Sequence, residues 1–446
     1  MKYILLLLFF ISCSSAPGRR TDKLSILQGI TNSKEVEFNI LAKKGRILKF
    51  ELRSAEGDII APDDTKVIER DDAEYSIHKI VFIRDQKKEF NLYAFENGQV
   101  VDQRLVGKGQ LDPSHLRLIV ASCMSDNFSK HFNIWNVLAS KNPEYLLLIG
   151  DNVYADVSPT GKPHSTTPQI LWDRYTDVRL TFPLYFMEKL IPVHALWDDH
   201  DYGMSNGNST YPHKVASREI FDAFYAQSLS DDDWVKGFGV GGLLSLGDFN
   251  LYFLDARTFR SQHSSGKHLG SEQENWLTTK LKEEVTPSFI IKGDQFFGGY
   301  HQYESFEGNH PQDFVNFVSN LRSLQAPFIF LSGDRHMSEI MQFPRSMFGM
   351  PSFEITSSPL HSKTYGGTPD KNPWRVVQEN ESVNFTLIDN VAKDDHWFLE
   401  VESIGDSGQT HYKRELAVFI KDLQNNLNEA RKRRHGKRRY RRSRRR

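Results

Sequence analysis

Four places in the chain put metal-competent side chains directly after a short apolar run. Leu118-Ile119-Val120 leads into Ala121-Ser122-Cys123, and Leu147-Leu148-Ile149 leads into Gly150-Asp151-Asn152-Val153-Tyr154. Val193-His194-Ala195-Leu196-Trp197 leads into Asp198-Asp199-His200-Asp201-Tyr202-Gly203, and residues 328–331 lead into Ser332-Gly333-Asp334-Arg335-His336. Such runs read as buried strands, and in open α/β sheets ligands bind outside the carboxyl ends of strands. Four strands would then carry Cys, Asp, Tyr, Asp, His, Asp and His to one edge of the protein. Carboxylates suit hard cations, imidazole suits iron or zinc, and a thiolate favours a softer transition metal. A carboxylate can bridge two ions. Two ions roughly 3.5–4 Å apart can activate water, bind phosphate oxygens and stabilise a leaving oxygen.

The elements that must position these residues follow from the periodicity. Apolar runs at 116–120, 145–149, 191–197, 251–254, 289–291 and 328–331 read as strands. Helix-like stretches at 132–140, 169–190, 271–285 and 311–325 lie between several of them. That alternation predicts α/β organisation around a central sheet. Residues 24–112 show strand-like alternation instead, as in residues 36–40, 47–52 and 90–95. Glu96-Asn97-Gly98-Gln99 before Val100-Val101 is a hairpin turn signal. This part predicts a small all-β sandwich domain without a catalytic constellation. A last amphipathic segment, 416–430, predicts a helix.

The segments Ser122-Cys123, Gly150-Asp151-Asn152-Val153-Tyr154, Trp197-Asp198-Asp199-His200-Asp201-Tyr202-Gly203 and Ser332-Gly333-Asp334-Arg335-His336 resemble those of the alkaline phosphatase D (PhoD-like) family. So do Leu254-Asp255-Ala256-Arg257 and Ser271-Glu272-Gln273 leading to Trp276-Leu277, in order, over residues 114–360. Each motif alone is weak; six in order are specific. That family belongs to the calcineurin-like metallophosphoesterases. The resemblance therefore implies an α/β fold, a two-sheet metallophosphoesterase sandwich flanked by helices, preceded by the all-β domain. It implies a phosphate-ester hydrolase acting through metal-activated hydroxide, with ferric iron and calcium as the expected ions and other divalent metals as alternatives. Asp151 would bridge the metals, and Cys123 and Tyr154 would ligate the ferric ion. Asp199 stands where the superfamily usually has Asn, and His200 where it has the proton-donating His. Asp334 and His336 replace two His of the superfamily pattern, completing the ligand set. Arg257 is the candidate partner for a phosphate oxygen.

Each of these residues also has a plainer reading. Cys123 alone reads as a core thiol, Tyr154 as a packing aromatic, and Arg257 as one arm of a structural ion pair. Asp198 reads as a loop cap or a residue behind the ligands, and His194 as a core histidine. Asp294-Gln295 and His361 also follow apolar runs and rank below the main set. Two other functions compete. A covalent Cys123 nucleophile lacks an elbow or an oxyanion-hole glycine cluster. An envelope-surface binding protein on a degenerate phosphatase fold would show a broken ligand set.

The ends of the chain bear on location. Residues 4–11 are uniformly apolar, too short to span a bilayer as a helix and fitting a signal peptide. Ser12-Cys13 follows and resembles a bacterial lipobox, with Phe10 where Leu is usual. Residues 1–13 are thus expected to be a signal peptide that ends in a lipid-bearing Cys13, making the protein exported and anchored in a bacterial cell envelope. A plain signal peptide is the alternative. With Cys13 acylated, Cys123 has no partner among the two cysteines. The whole chain carries 39% hydrophobic and 25% charged residues, as ordinary globular proteins do. Its net charge of −1 hides an asymmetry: residues 431–446 hold 12 Lys or Arg and no acid, leaving 44 basic against 57 acidic residues elsewhere. Only Tyr440 could stack on a base there, so no specific nucleic acid is expected. Anionic membrane or envelope polymer is the expected partner of this tail. The expected divisions are 1–13, 24–112, 114–415 for the phosphatase domain, and 416–446 for the helix and tail.

Overall fold

The computed structural model describes residues 18–419, apart from 30–33, 110, 111, 113, 159, 229–232, 284, 285, 325, 326, 368, 369, 394 and 395. The expected signal peptide with Cys13 and the basic tail lie outside the described residues.

Period-two alternation builds the central layers. In the strands Phe249–Phe253, Ser288–Ile291 and Phe328–Ser332, the residues Leu251, Phe253, Phe289, Ile291, Ile329 and Leu331 enter one core. Tyr252, Ile290, Phe328 and Phe330 enter another. Successive side chains of a strand point to opposite faces, so strands covered on both sides are apolar throughout. The first core is shared with Ile119, Leu147 and Val193 of a second sheet, so the two sheets face each other. The other core is filled by Leu277 and Leu281 of the helix Ser271–Glu283 and by Phe314, Phe317 and Leu321 of the helix Pro311–Arg322. The architecture is mixed α/β.

Among the described residues the larger sheet runs Thr410–Phe419, His396–Gly405, Asn384–Lys393, Arg117–Ala121, Tyr145–Ile149, Pro192–Leu196, Ser25–Gly29, Glu35–Lys43, Tyr75–Ile83, Asp64–Ile68. The facing sheet runs Trp234–Lys236, Gly242–Leu246, Phe249–Phe253, Ser288–Ile291, Phe328–Ser332, Ser352–Thr356, Ser338–Phe343, Arg375–Glu379. Arg117–Ala121, Tyr145–Ile149 and Pro192–Leu196 are parallel neighbours. So are Phe249–Phe253, Ser288–Ile291, Phe328–Ser332 and Ser352–Thr356. Each set therefore ends at a common edge.

Among the described residues of 24–112 the regular elements are strands, and they pack in two layers. Leu48–Ser54, Phe90–Glu96, Gln99–Leu105 and Ile59–Ile60 form a separate sheet. It closes over Val36, Phe38, Ile40, Ile80 and Phe82 with its own Phe50, Leu52 and Leu92. The predicted hairpin is present, with Asn97 at φ 51° and Gly98 at φ 80°, the left-handed pair that a two-residue turn requires. The layout differs from a free-standing domain, however. Ser25–Gly29 pairs in parallel with Pro192–Leu196, so one layer of the sandwich continues the large sheet. Arg179, on the helix Pro168–Thr181, fastens this junction. It donates to the carbonyls of Ser25, Asn39 and Phe224 and to Ser25 Oγ.

Two other expectations need correction. The predicted helix over 169–190 stops at Thr181 and gives way to a short 3₁₀ turn, Pro183–Phe186. Pro183 lacks an N–H and forces Phe182 out of the helical region, to ψ 136°. The predicted helix from 416 is not seen in its described part: Leu416 lies in the strand Thr410–Phe419, opposite Leu399. The neighbouring strand takes up its backbone hydrogen bonds, and cross-strand pairing overrides an amphipathic pattern too short to decide. The rest of that segment lies outside the described residues.

Candidate metal centre

Loops from both sheets meet at the shared edge because their backbones are tied together. Between the sheets Leu360 N donates to Ser122 O at 2.8 Å and His361 N to Cys123 O at 3.1 Å, while within the facing sheet Gly333 N donates to Gly293 O at 2.7 Å. Ser122 Oγ reaches Ser357 O at 2.8 Å, and Ser357 Oγ reaches Val120 O at 2.7 Å. Close approach is built in. A Cβ on Gly150, itself at φ 115°, would sit 2.7 Å from Asp198 Cβ, and one on Gly293 would sit 2.5 Å from Asp198 Cγ.

The backbone is strained where the chemistry was expected. Cys123, Asp151, Asp334 and His336 all have left-handed φ, at 58°, 52°, 66° and 50°. Each such non-glycine residue costs about 1 kcal/mol or more and persists only where its surroundings impose it. The turn directly after three strands thus swings the side chain of each strand end toward a common point.

The side chains meet there. Asp151 Oδ2 lies 3.5 Å from Cys123 Sγ, and Asp151 Oδ1 accepts the His200 N–H at 3.3 Å. Asp199 Oδ1 accepts the same N–H at 3.0 Å, while its Oδ2 accepts from Asn206 N at 2.6 Å. Ligand atoms of Asp151, Asp199 and His200 lie within 4.8 Å of one another, and so do those of Asp198, Asp199 and Asp334. Tyr154 Oη is 2.9 Å from His336 Nε2. The other nitrogen of His336 faces the Lys363 carbonyl. A carbonyl only accepts, so Nδ1 carries the proton and Nε2 presents its lone pair, the state a metal-ligating His needs.

The electrostatics read as a cluster short of positive charge. Burial, aided by neighbouring acids, pushes the Asp151 and Asp334 carboxyls well above the usual range. Burial likewise pushes the Cys123 thiol up to about 12. Asp199 is the exception: burial raises it, but Arg257 and His200 outweigh that and hold it at about 2. Asp334 Oδ2 and Asp198 Oδ2 are buried with no hydrogen-bond partner. Buried unpaired acceptors are costly, and a cation removes that cost. The donor set of carboxylates, imidazole, phenol and one thiol fits a hard or borderline transition metal beside a second hard ion.

The remaining candidates separate cleanly. Arg257 is fully buried and gives Nε to Asp198 Oδ1, with Nη2 3.9 Å from Asp199. Its ion pair is structural, yet Nη1 and Nη2 have no hydrogen-bond partner. Asp294 does not join the cluster; it is held by Lys292, Arg260 and His268 in a buried charge group. His361 is enclosed by Phe128, Phe132, Trp135 and Phe182. His194 packs on Trp234 and Phe253 as a core histidine. Two residues escaped the sequence reading. Asp156 accepts from His200 Nδ1 at 2.6 Å and from Ser205 N at 2.7 Å. Asp201 caps the short helix Asp199–Tyr202 from within and accepts both amide nitrogens of Asn152 at 3.0 Å. The signal for Asp156 was its place two residues beyond Tyr154; for Asp201 it was the capping-box spacing from Asp198.

Comparison with known protein families finds no match, and no curated protein matches the chain.

Proposed function

We propose that this chain is a metal-dependent phosphoric ester hydrolase of the PhoD-like, calcineurin-type sandwich class. The observation that carries the reading is the meeting of Cys123, Asp151, Tyr154, Asp199, His200, Asp334 and His336 at one sheet edge, four of them on left-handed backbone. Order and spacing of the motifs support the same class.

Cys123, Asp151, Tyr154, Asp199, Asp334 and His336 would hold the ions, for which ferric iron and calcium are the first expectation. Such ions supply Lewis acidity toward phosphate oxygens and lower the pKa of an attacking water. The other parts belong to side chains of the chain itself. Asp156 holds His200 Nδ1, which leaves Nε2 to give a proton to the leaving oxygen. Burial lowers the His200 pKa, but Asp199, Asp151 and Asp156 raise it more, which favours a protonated, proton-giving ring. Arg257 fixes Asp198 and Asp199 by ion pairs, and its Nη1 and Nη2 amino groups, which make no hydrogen bond, suit a phosphate oxygen. A Cys123 nucleophile is disfavoured, because the side chain is fully buried and its sequence surroundings lack a nucleophile elbow or an oxyanion-hole glycine cluster. An intact donor set also speaks against a purely binding role on a degenerate fold. Export, a lipid on Cys13, and retention on anionic envelope material by residues 431–446 complete the proposal.

The deciding experiment is metal analysis of the purified protein alongside hydrolysis of a matched phosphomonoester and phosphodiester. Bound metal, with hydrolysis abolished by chelation and restored by metal, supports the reading. Hydrolysis that survives complete metal removal would sink it.

A further inference from the structure

The mouth of the candidate centre carries a feature that metal binding does not need. Tyr365 is 73% exposed, the second most exposed large apolar side chain among the described residues. Its ring stacks on His336 with centroids 5.1 Å apart and planes 26° apart. His336 in turn touches Tyr154 through Nε2. One face of Tyr365 therefore rests on a residue of the donor set while the rest of the ring stands open. Lys363, also exposed, places its Nζ 5.9 Å from the same ring. The backbone of Lys363 is fastened to His336 Nδ1, so this short segment is anchored to the site.

An aromatic ring left open to water gains by stacking on another planar ring. A neighbouring cation favours an electron-rich ring and the negative charge of a phosphate ester. We infer that Tyr365, backed by His336 and flanked by Lys363, is a stacking platform that selects phosphate esters whose organic group carries a planar aromatic ring, either aryl or nucleobase. The inference rests on the proposed phosphoesterase reading and assigns the substrate class of that site. Tyr365 is a specificity residue: it touches the organic group and leaves the phosphorus to the buried cluster.

The test uses the full-length, metal-loaded protein and titration calorimetry with three non-hydrolysable ligands: phenylphosphonate, the 5′-methylenephosphonate analogue of thymidine 5′-monophosphate, and methylphosphonate. Tyr365→Ala and Tyr365→Phe are the variants; the position is exposed, so both are expected to fold. Base–aromatic stacking changes affinity by roughly tenfold or more on truncation to Ala. The preference for a ring-bearing ligand over methylphosphonate should therefore fall at least about tenfold in Tyr365→Ala and persist in Tyr365→Phe. The ring-bearing ligand with the larger loss identifies aryl or nucleobase as the natural group. An unchanged preference in Tyr365→Ala, with all three ligands still bound, overturns the platform while leaving the phosphoesterase reading standing. Failure of the parent protein to bind any of the three overturns both.

Discussion

His194 gives a measurable link between one buried ring and the pH dependence of stability. It lies in the strand Pro192–Leu196, 2% exposed, with ring centroids 4.0 Å from Phe253 and 4.8 Å from Trp234. Burial alone pushes its pKa down to about 3. An unfolded histidine titrates near about 6.5. Between those values the unfolded chain binds a proton that the folded chain refuses, so stability is full above the unfolded pKa and is lost as pH falls toward 3. At pH 5 the loss from this one ring is about 1.5 pH units of linkage, or about 2 kcal/mol relative to pH 8. His194→Leu keeps the volume and removes the proton site. Its stability relative to the parent should therefore improve by about 2 kcal/mol on moving from pH 8 to pH 5. Urea denaturation of both proteins at the two pH values measures this, and the other histidines cancel in the comparison. An identical stability difference at pH 8 and pH 5 would refute the assignment of His194 as a buried neutral ring.

Four further outcomes are expected. His200→Ala should lower kcat by roughly 10²–10⁴ and leave metal content nearly intact, whereas Asp151→Ala should lose metal; metal loss in the His200 variant would reassign that residue as a ligand. Asp156→Asn should reduce kcat by roughly 10–100-fold at unchanged metal content, and a wild-type rate would mean the Asp156 contact does not orient His200. Arg179→Met leaves the carbonyls of Ser25, Asn39 and Phe224 without their donor, which should cost about 3 kcal/mol by denaturation; a cost under about 1 kcal/mol would show that water replaces the guanidinium there. Truncation after residue 430 should weaken binding to anionic vesicles at low salt, with the difference vanishing at high salt, each cation near the surface being worth about 1 kcal/mol; equal, salt-independent binding by both forms would exclude an electrostatic role for the tail.

Much of the site was legible because it is local. Apolar runs followed at once by Cys123, Asp151, Asp199 and Asp334 announce strands and the loops after them. Period-two alternation also marked the strands of residues 24–112, and Asn97-Gly98 the hairpin. What sequence left open depends on partners distant in the chain. Residues 24–112 read as a separate domain, yet Ser25–Gly29 extends the large sheet beside Pro192–Leu196; a strand pattern names no neighbour. Leu416 read as helical until the strand His396–Gly405 supplied its pairing. Asp156 looks like any loop carboxylate, and only the fold puts it on His200 Nδ1. Arg257 read as a candidate phosphate partner and Asp294 ranked below the main set; folding pairs the first with Asp198 at the cluster and holds the second away from it with Lys292, Arg260 and His268. The sequence by itself determined which residue types stand at the strand ends, because that is a matter of covalent adjacency. The tertiary structure decided which of them share a charge environment, because hydrogen bonds and Coulomb forces act over a few ångströms of space whatever the separation along the chain.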